Sequence, residues 1–201
     1  MKLFSYVLRW DHGFAPNPFH GMCTLATCKG AIRKKANVGD WVLGTGSSER
    51  NRQAHAVFLM EVEQVSDFDK YWNDPRFACK RPVMNGSLKQ RFGDNIYHRG
   101  ENGSWIQADS RHSWEGAAND ENVMTDTRNT DQILVGSNFI YWGDQSPQLP
   151  PALRHCAIQR PGWKEDFSED SIENLVEWAL SFGVKGQVGD PIEWKYERWW
   201  R

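Results

Sequence analysis

Apolar side chains crowd the first ten positions without helical spacing, and Leu3, Phe4, Tyr6, Val7, Leu8 and Trp10 predict a buried strand. Gly13, Pro16, Asn17 and Pro18 then predict a loop, since each proline fixes its own backbone and biases its predecessor away from helix. Gly30 to Ala36 predicts a short basic helix carrying Arg33, Lys34 and Lys35, closed by a tight turn at Gly39 and Asp40. The Asp40 carboxylate is expected to fix that turn by accepting from backbone amides two residues on. Trp41 to Gly44 and Ala54 to Val65 read as two strands, the second long, joined by the polar stretch from Thr45 to Gln53. Ser66 and Asp69 have the spacing of a capping pair and predict a short helix through Trp72 that ends near Pro75.

Between Lys80 and Arg128 the chain is rich in Gly, Asn, Ser and Asp and keeps no period, so the functional site is expected in this irregular stretch. Gln132 to Trp142 resumes strand character, with Gly136 placed for a bulge. The clearest periodic pattern runs from Ser168 to Phe182, where Ile172, Leu175, Val176, Ala179 and Leu180 share one helical face and Gly183 is placed to stop the helix. This order predicts an α+β fold: one domain over residues 1–201, with a strand-dominated, barrel-like mixed sheet, short helices and a C-terminal amphipathic helix.

Composition narrows the function classes. A chain of 201 residues, 39% hydrophobic and 25% charged, can bury a core and is too apolar for disorder. Its net charge of -2 supplies no general attraction to nucleic acid or anionic membrane, so any phosphate binding must be local. The apolar run from Leu3 to Leu8 is too short to span a bilayer and lacks a cleavage site, so a cytoplasmic location and no membrane partner are expected. Four cysteines, Cys23, Cys28, Cys79 and Cys156, lack close paired spacing and read as reduced, mostly buried thiols; no metal ligand or cofactor is assigned. Eleven tryptophans either fill a β-rich core or line a surface on which bases stack.

Three constellations can carry chemistry. Asp94 and His98, in the run Gly93 to His98, face one side on a strand or a helix alike, and Asp109 with His112 repeats the pairing. Together they form a conceivable acid-base or metal cluster with His98 or His112 as general base and Asp94 or Asp109 orienting it. Against this stands the commoner role of loop Asp and His in capping turns. Thr45 and Ser47, in Gly44 to Ser48, can cradle a phosphate or base edge, though the segment lacks the lysine of a P-loop and reads equally as a hairpin connection. Asn17 and Phe19, in the Pro-stiffened loop from Phe14 to Phe19, suit base reading, with Asn95 and Tyr97 as further binding residues. Cys28, near the start of a short helix, sits where a thiolate is favoured, although a small buried residue is the plainer reading.

The runs Gly13 to Phe19, Cys23 to Lys29, Gly39 to Ser47, Tyr71 to Phe77, Gly93 to His98, Asp109 to Ser113 and Ile133 to Gly143 together resemble the second type of nucleotide-modification-associated domain, a bacterial and phage family. Arg111 stands where that family's pattern has an aromatic, and Gln53 to His55 replace a more apolar stretch. The Gly39-Asp40 turn before two strands more loosely resembles the PUA-like superfamily, with its EVE, ASCH and YTH domains, in which small barrels hold a modified base against aromatic rings. These resemblances imply recognition of a modified base or modified nucleotide in a DNA-modification or restriction context, the partner being modified nucleic acid or nucleotide. The alternatives are an enzyme acting on a nucleotide or base, and an interaction subunit docking through the aromatic tail from Trp194 to Arg201.

Overall fold

The computed structural model describes residues 1–158 and 162–196. The backbone groups into two compact units, each assembled from separated stretches of chain. One takes Met1–His12, Ala36–Glu63 and the chain from Gly136 onward; the other takes Gly13–Lys35 and Gln64–Val135.

The first unit is built on a six-stranded sheet in the order Trp163–Lys164, Leu3–Leu8, Trp41–Gly46, Ala56–Glu61, Phe139–Tyr141, Gly186–Gln187. Leu3–Leu8 pairs in parallel with Trp41–Gly46, which suits its almost unbroken apolar run, since parallel strands are buried on both faces. Trp41–Gly46 continues beyond the predicted end at Gly44. A Cβ at Gly44 would run into the Phe58 ring and the Leu8 side chain, so the strand needs a residue without one there. The sheet is open among the described residues, with two-residue strands at both edges, so the expected barrel-like closure is not formed.

The predicted C-terminal helix is Glu169–Leu180, opened by Ser168, whose side chain accepts from the Ser171 amide. Ile172, Leu175 and Ala179 enter a core with Leu3, Leu43, Leu59, Ile140 and Trp142. Fully burying a large apolar side chain contributes roughly 1.5–3 kcal/mol, and this face supplies the helix's stability. Trp142, Trp178 and Phe182 form an aromatic cluster with centroids 5.2–6.0 Å apart, so these indoles serve packing.

The Gly39 turn has φ +89, a glycine conformation, and Asp40 fixes it in a different way from that expected. Its carboxylate accepts from the Asn37 amide, three residues back, and from the Lys2 amide at 2.8 Å. The predicted long strand from Ala54 to Val65 is two strands, Ala56–Glu61 and Gln64–Asp67. Between them Glu63 accepts from the Ser137 amide and hydroxyl and the Asn138 amide, which ends the first pairing.

The second unit holds a three-stranded sheet in the order Cys23–Leu25, Gln132–Gly136, Gln64–Asp67, and a hairpin of Tyr97–Arg99 with Trp105–Gln107. The Phe68–Asn73 helix is capped by Asp67, which accepts from the Lys70 amide, rather than by Ser66. Ser66 lies in the strand opposite Ile133, and Asp69 accepts instead from the Arg99 amide. The stretch expected to be irregular also folds into helices Leu88–Arg91, with a Ser87/Gln90 capping box, and Asp120–Thr127, capped by Asn119. Among the described residues no helix is long and apolar enough to cross a membrane.

Candidate functional site

Cys28 lies in the second unit, between the Cys23–Leu25 strand and the Gly30–Lys35 helix, with φ +54; Lys29 follows at φ +41. Two successive left-handed residues that are not glycine cost about 1–3 kcal/mol each, so their surroundings must hold them there. The Cys28 amide donates to Asp126 Oδ1 at 2.6 Å, and the Cys28 carbonyl accepts from Arg33 Nε at 2.9 Å. Arg33 is fully buried, and its remaining nitrogens donate to the carbonyls of Gln132 and Asp126. The guanidinium thus ties the helix bearing Asp126 to the turn bearing Cys28.

Asp126 is buried near the end of the Asp120–Thr127 helix. Its Oδ2 accepts from the Tyr97 hydroxyl at 2.9 Å and lies 2.6 Å from His112 Nδ1. A carboxylate has only acceptors, so Nδ1 carries a proton, and the other ring nitrogen, Nε2, faces Cys28 Sγ at 3.7 Å. Phe14 meets the imidazole edge-on at 4.7 Å, while Gln107 Nε2 and Asn122 Nδ2 both donate to the His112 carbonyl. Gln107 Nε2 also donates to the Tyr97 hydroxyl. Sulfur, imidazole and carboxylate are therefore held in line from both ends, with His112 and Cys28 only partly buried.

The electrostatics follow from this packing. Burial disfavours a charge on His112, but the hydrogen bond with Asp126 and the contact with Cys28 outweigh it and raise the imidazole to about 9. Burial and the Asp126 charge push the Tyr97 hydroxyl up, so it stays a donor. Thr27, immediately before Cys28 in the chain, has a buried hydroxyl with no hydrogen-bond partner. The three groups also form a set whose ligand atoms lie within 4.8 Å of one another, of the types that zinc takes. Both Asp126 oxygens already serve donors, however, which suits an orienting carboxylate better than an open ligand.

Of the residues singled out in the sequence, His112, Cys28 and Tyr97 meet in this cluster. Asp94 does not. It is buried, accepting from Thr24 Oγ1 at 2.6 Å and the Tyr71 hydroxyl at 2.8 Å; burial raises its pKa and the Lys80 charge opposes that. Lys80 is itself fully buried, and its ammonium donates to the side chain and carbonyl of Asn17 and the carbonyl of Met22. Asn17 in turn donates to the Gly13 and Phe92 carbonyls, so its polar edges are used within the fold. Asn95 Nδ2 donates to the Tyr71 and Phe77 carbonyls, and its buried Oδ1 has no partner.

His98 is not joined to Asp94: it stacks on Trp72 with centroids 4.2 Å apart. Asp109 is exposed and accepts from the Ser113 hydroxyl, closing a local turn. Phe19 is buried, with the Lys89 ammonium 5.2 Å from its ring centroid. Thr45 and Ser47 belong to the first unit, where their hydroxyls donate to the Tyr6 and Arg9 carbonyls. Arg50 pairs with Glu193 at 2.6 Å, and Arg52 donates to Ser146 and the Asp144 carbonyl. Cys23 and Cys156 are buried, but Cys79 is exposed, so the thiols are less uniformly covered than expected. Trp199 and Trp200 of the aromatic tail lie outside the described residues.

Sequence reasoning missed Asp126 and, with it, the pairing of His112 to Cys28. The one local signal was Asn119 followed by Asp120 and Glu121, the mark of a helix N-terminus, which would have placed Asp126 on a helix.

Residues 1–198 match the family model described as nucleotide modification associated domain 2. No curated protein and no solved structure matches the chain.

Proposed function

We propose, from the premise that the chain belongs to the nucleotide modification associated domain 2 family, that it performs covalent catalysis on a nucleobase or its substituent, with Cys28 as nucleophile, His112 as acid-base and Asp126 as orienting carboxylate. The observation that carries this reading is the line from Cys28 Sγ through His112, 3.7 Å on one side and 2.6 Å to Asp126 on the other. His112 Nε2 is the group placed to move a proton to or from Cys28 Sγ.

The chemistry suited to this set is displacement at an acyl- or amidine-type carbon. The Cys28 thiolate forms a bond to that carbon, the bond from carbon to its nitrogen or oxygen substituent breaks, and His112 gives its proton to the departing group. Water then loses a proton to His112 and attacks the same carbon, and the carbon–sulfur bond breaks to regenerate the thiolate. Asp126 holds the imidazole in the tautomer that both steps need. Recognition of a modified base, the function expected from the sequence, becomes the binding half of this reading. The PUA-like resemblance is kept only for the ligand it implies, a base held against aromatic rings.

The test is the reactivity of the thiols, with iodoacetamide as the probe and mass spectrometry as the readout. At about pH 6.5, Cys28 is expected to alkylate roughly tenfold faster than the exposed Cys79, and to lose that advantage in His112→Ala. An oligonucleotide carrying N4-acetylcytosine should leave an acetyl group on Cys28 that Cys28→Ser does not acquire. Equal alkylation of Cys28 and Cys79, unchanged in the His112 variant, would overturn the reading.

A further inference from the structure

A second group of side chains in the same unit takes no part in the cluster around Cys28. Trp72, on the Phe68–Asn73 helix, stacks on His98 with an interplanar angle of 26°, and the Arg81 guanidinium lies 4.1 Å from the centroid of the same indole. The indole thus packs against both a guanidinium and an imidazole. His98 faces Ile106 across the hairpin, and Ile106 is 42% exposed. On the adjacent register pair, the Arg99 guanidinium covers Trp105 at 4.1 Å from its centroid. Successive strand residues point to opposite faces, so the Arg99–Trp105 pair lies on the other side of the hairpin, and Trp72, Arg81, His98 and Ile106 make up the surface on this side.

The charge around these rings departs from that of the whole chain. Residues 70–99 hold seven lysines and arginines against two aspartates, in a protein whose net charge is -2. Of those seven, Lys80 is spent in the buried network with Asn17, Lys70 pairs with Asp67 at 2.8 Å, Arg76 pairs with Asp74 at 2.6 Å, and Arg99 lies 3.8 Å from Asp69. Arg81, Lys89 and Arg91 have no carboxylate partner among the described residues.

We infer that the Arg81–Trp72–His98 stack, with Ile106 beside it, is a docking surface for single-stranded nucleic acid. A base extends the stack or lies on His98 and Ile106, and Arg81 meets a flanking phosphate. Stacking needs an open base face, which a duplex withholds, so the surface selects a single strand. The inference does not depend on chemistry at Cys28; it makes a polymer, rather than a free nucleotide, the molecule this protein holds.

The test is fluorescence anisotropy with labelled DNA and RNA strands of about 12 nucleotides and the matching DNA duplex, at about 50 and 200 mM salt. The expected result is single-strand binding that weakens with salt and exceeds duplex binding by about tenfold. His98→Ala and, independently, Ile106→Asp should each lower it by about tenfold. Ile106 is exposed, so its variant tests the surface without disturbing the core. No binding of either strand, equal binding of the duplex, or undiminished binding by both variants would overturn the inference. Loss of binding in these variants with Cys28 alkylation intact would separate this surface from the thiol reading.

Discussion

Asp126 Oδ2 lies 2.6 Å from His112 Nδ1, while the other oxygen of the same carboxylate takes the Cys28 amide. One side chain therefore orients the imidazole and also holds Cys28 in its left-handed conformation, so reactivity and local stability are joined at this residue.

Replacing Asp126 should separate the two effects by degree. Asp126→Asn keeps an acceptor for the Cys28 amide but sets an amide nitrogen or a neutral oxygen against His112, and Cys28 alkylation should fall toward that of Cys79. Asp126→Ala should also lose roughly 3 kcal/mol or more in urea unfolding, because buried donors lose a charged acceptor. An Asp126→Asn variant with undiminished alkylation would show that His112 needs no orienting group.

The His112 titration makes a prediction about pH. Its pKa stands at about 9 in the folded protein against 6.5 for an ordinary histidine, so folding binds the proton more tightly. The resulting stabilisation is fully present below pH 6.5 and is lost as pH rises through about 9. Urea midpoints across that window should fall further for the unaltered protein than for His112→Ala; parallel curves would refute the coupling.

Asp40→Ala removes two acceptors from the turn that precedes the Trp41–Gly46 strand. The expected loss is about 2 kcal/mol, in the range for hydrogen bonds to a charged group, with iodoacetamide labelling of Cys28 unchanged. Urea unfolding and the labelling rate measured on one sample decide it.

Asn95 and His98, three positions apart and both singled out in the sequence, should behave differently. Asn95→Ala leaves the Tyr71 and Phe77 carbonyls without their donor and should cost about 1–3 kcal/mol. His98→Ala removes only a stacking contact near the surface and should change stability by less than about 1 kcal/mol. Thermal melts of the two variants distinguish these outcomes.

The elements legible in the sequence are those whose stability is local or whose apolar pattern is long. Glu169–Leu180 announces itself by a face of Ile172, Leu175 and Ala179, and Leu3–Leu8 by continuous apolar content. The strand breaks at Glu63 and Gly136 escape, because each is decided by a partner distant in the chain: the Ser137 amide for Glu63, and for Gly136 the Glu61 carbonyl, which a Cβ would strike. For the candidate site, composition drew attention to His112 and Cys28 one at a time. Their relation runs through Asp126, 98 residues from Cys28, and no spacing rule reaches that far.

Because the second unit is drawn from two stretches, Cys28 and the pair His112 and Asp126 are separated in the chain by a stretch, Ala36–Glu63, that belongs to the first unit. No contiguous piece of the second unit alone contains all three residues. During synthesis the thiol emerges from the ribosome almost a hundred residues before the groups that would activate it, and for that interval it is an ordinary cysteine. On the proposed reading of Cys28 as nucleophile, activation would wait for the Asp120–Thr127 helix to dock, which would tie reactivity to the completion of folding and spare the nascent chain a reactive sulfur.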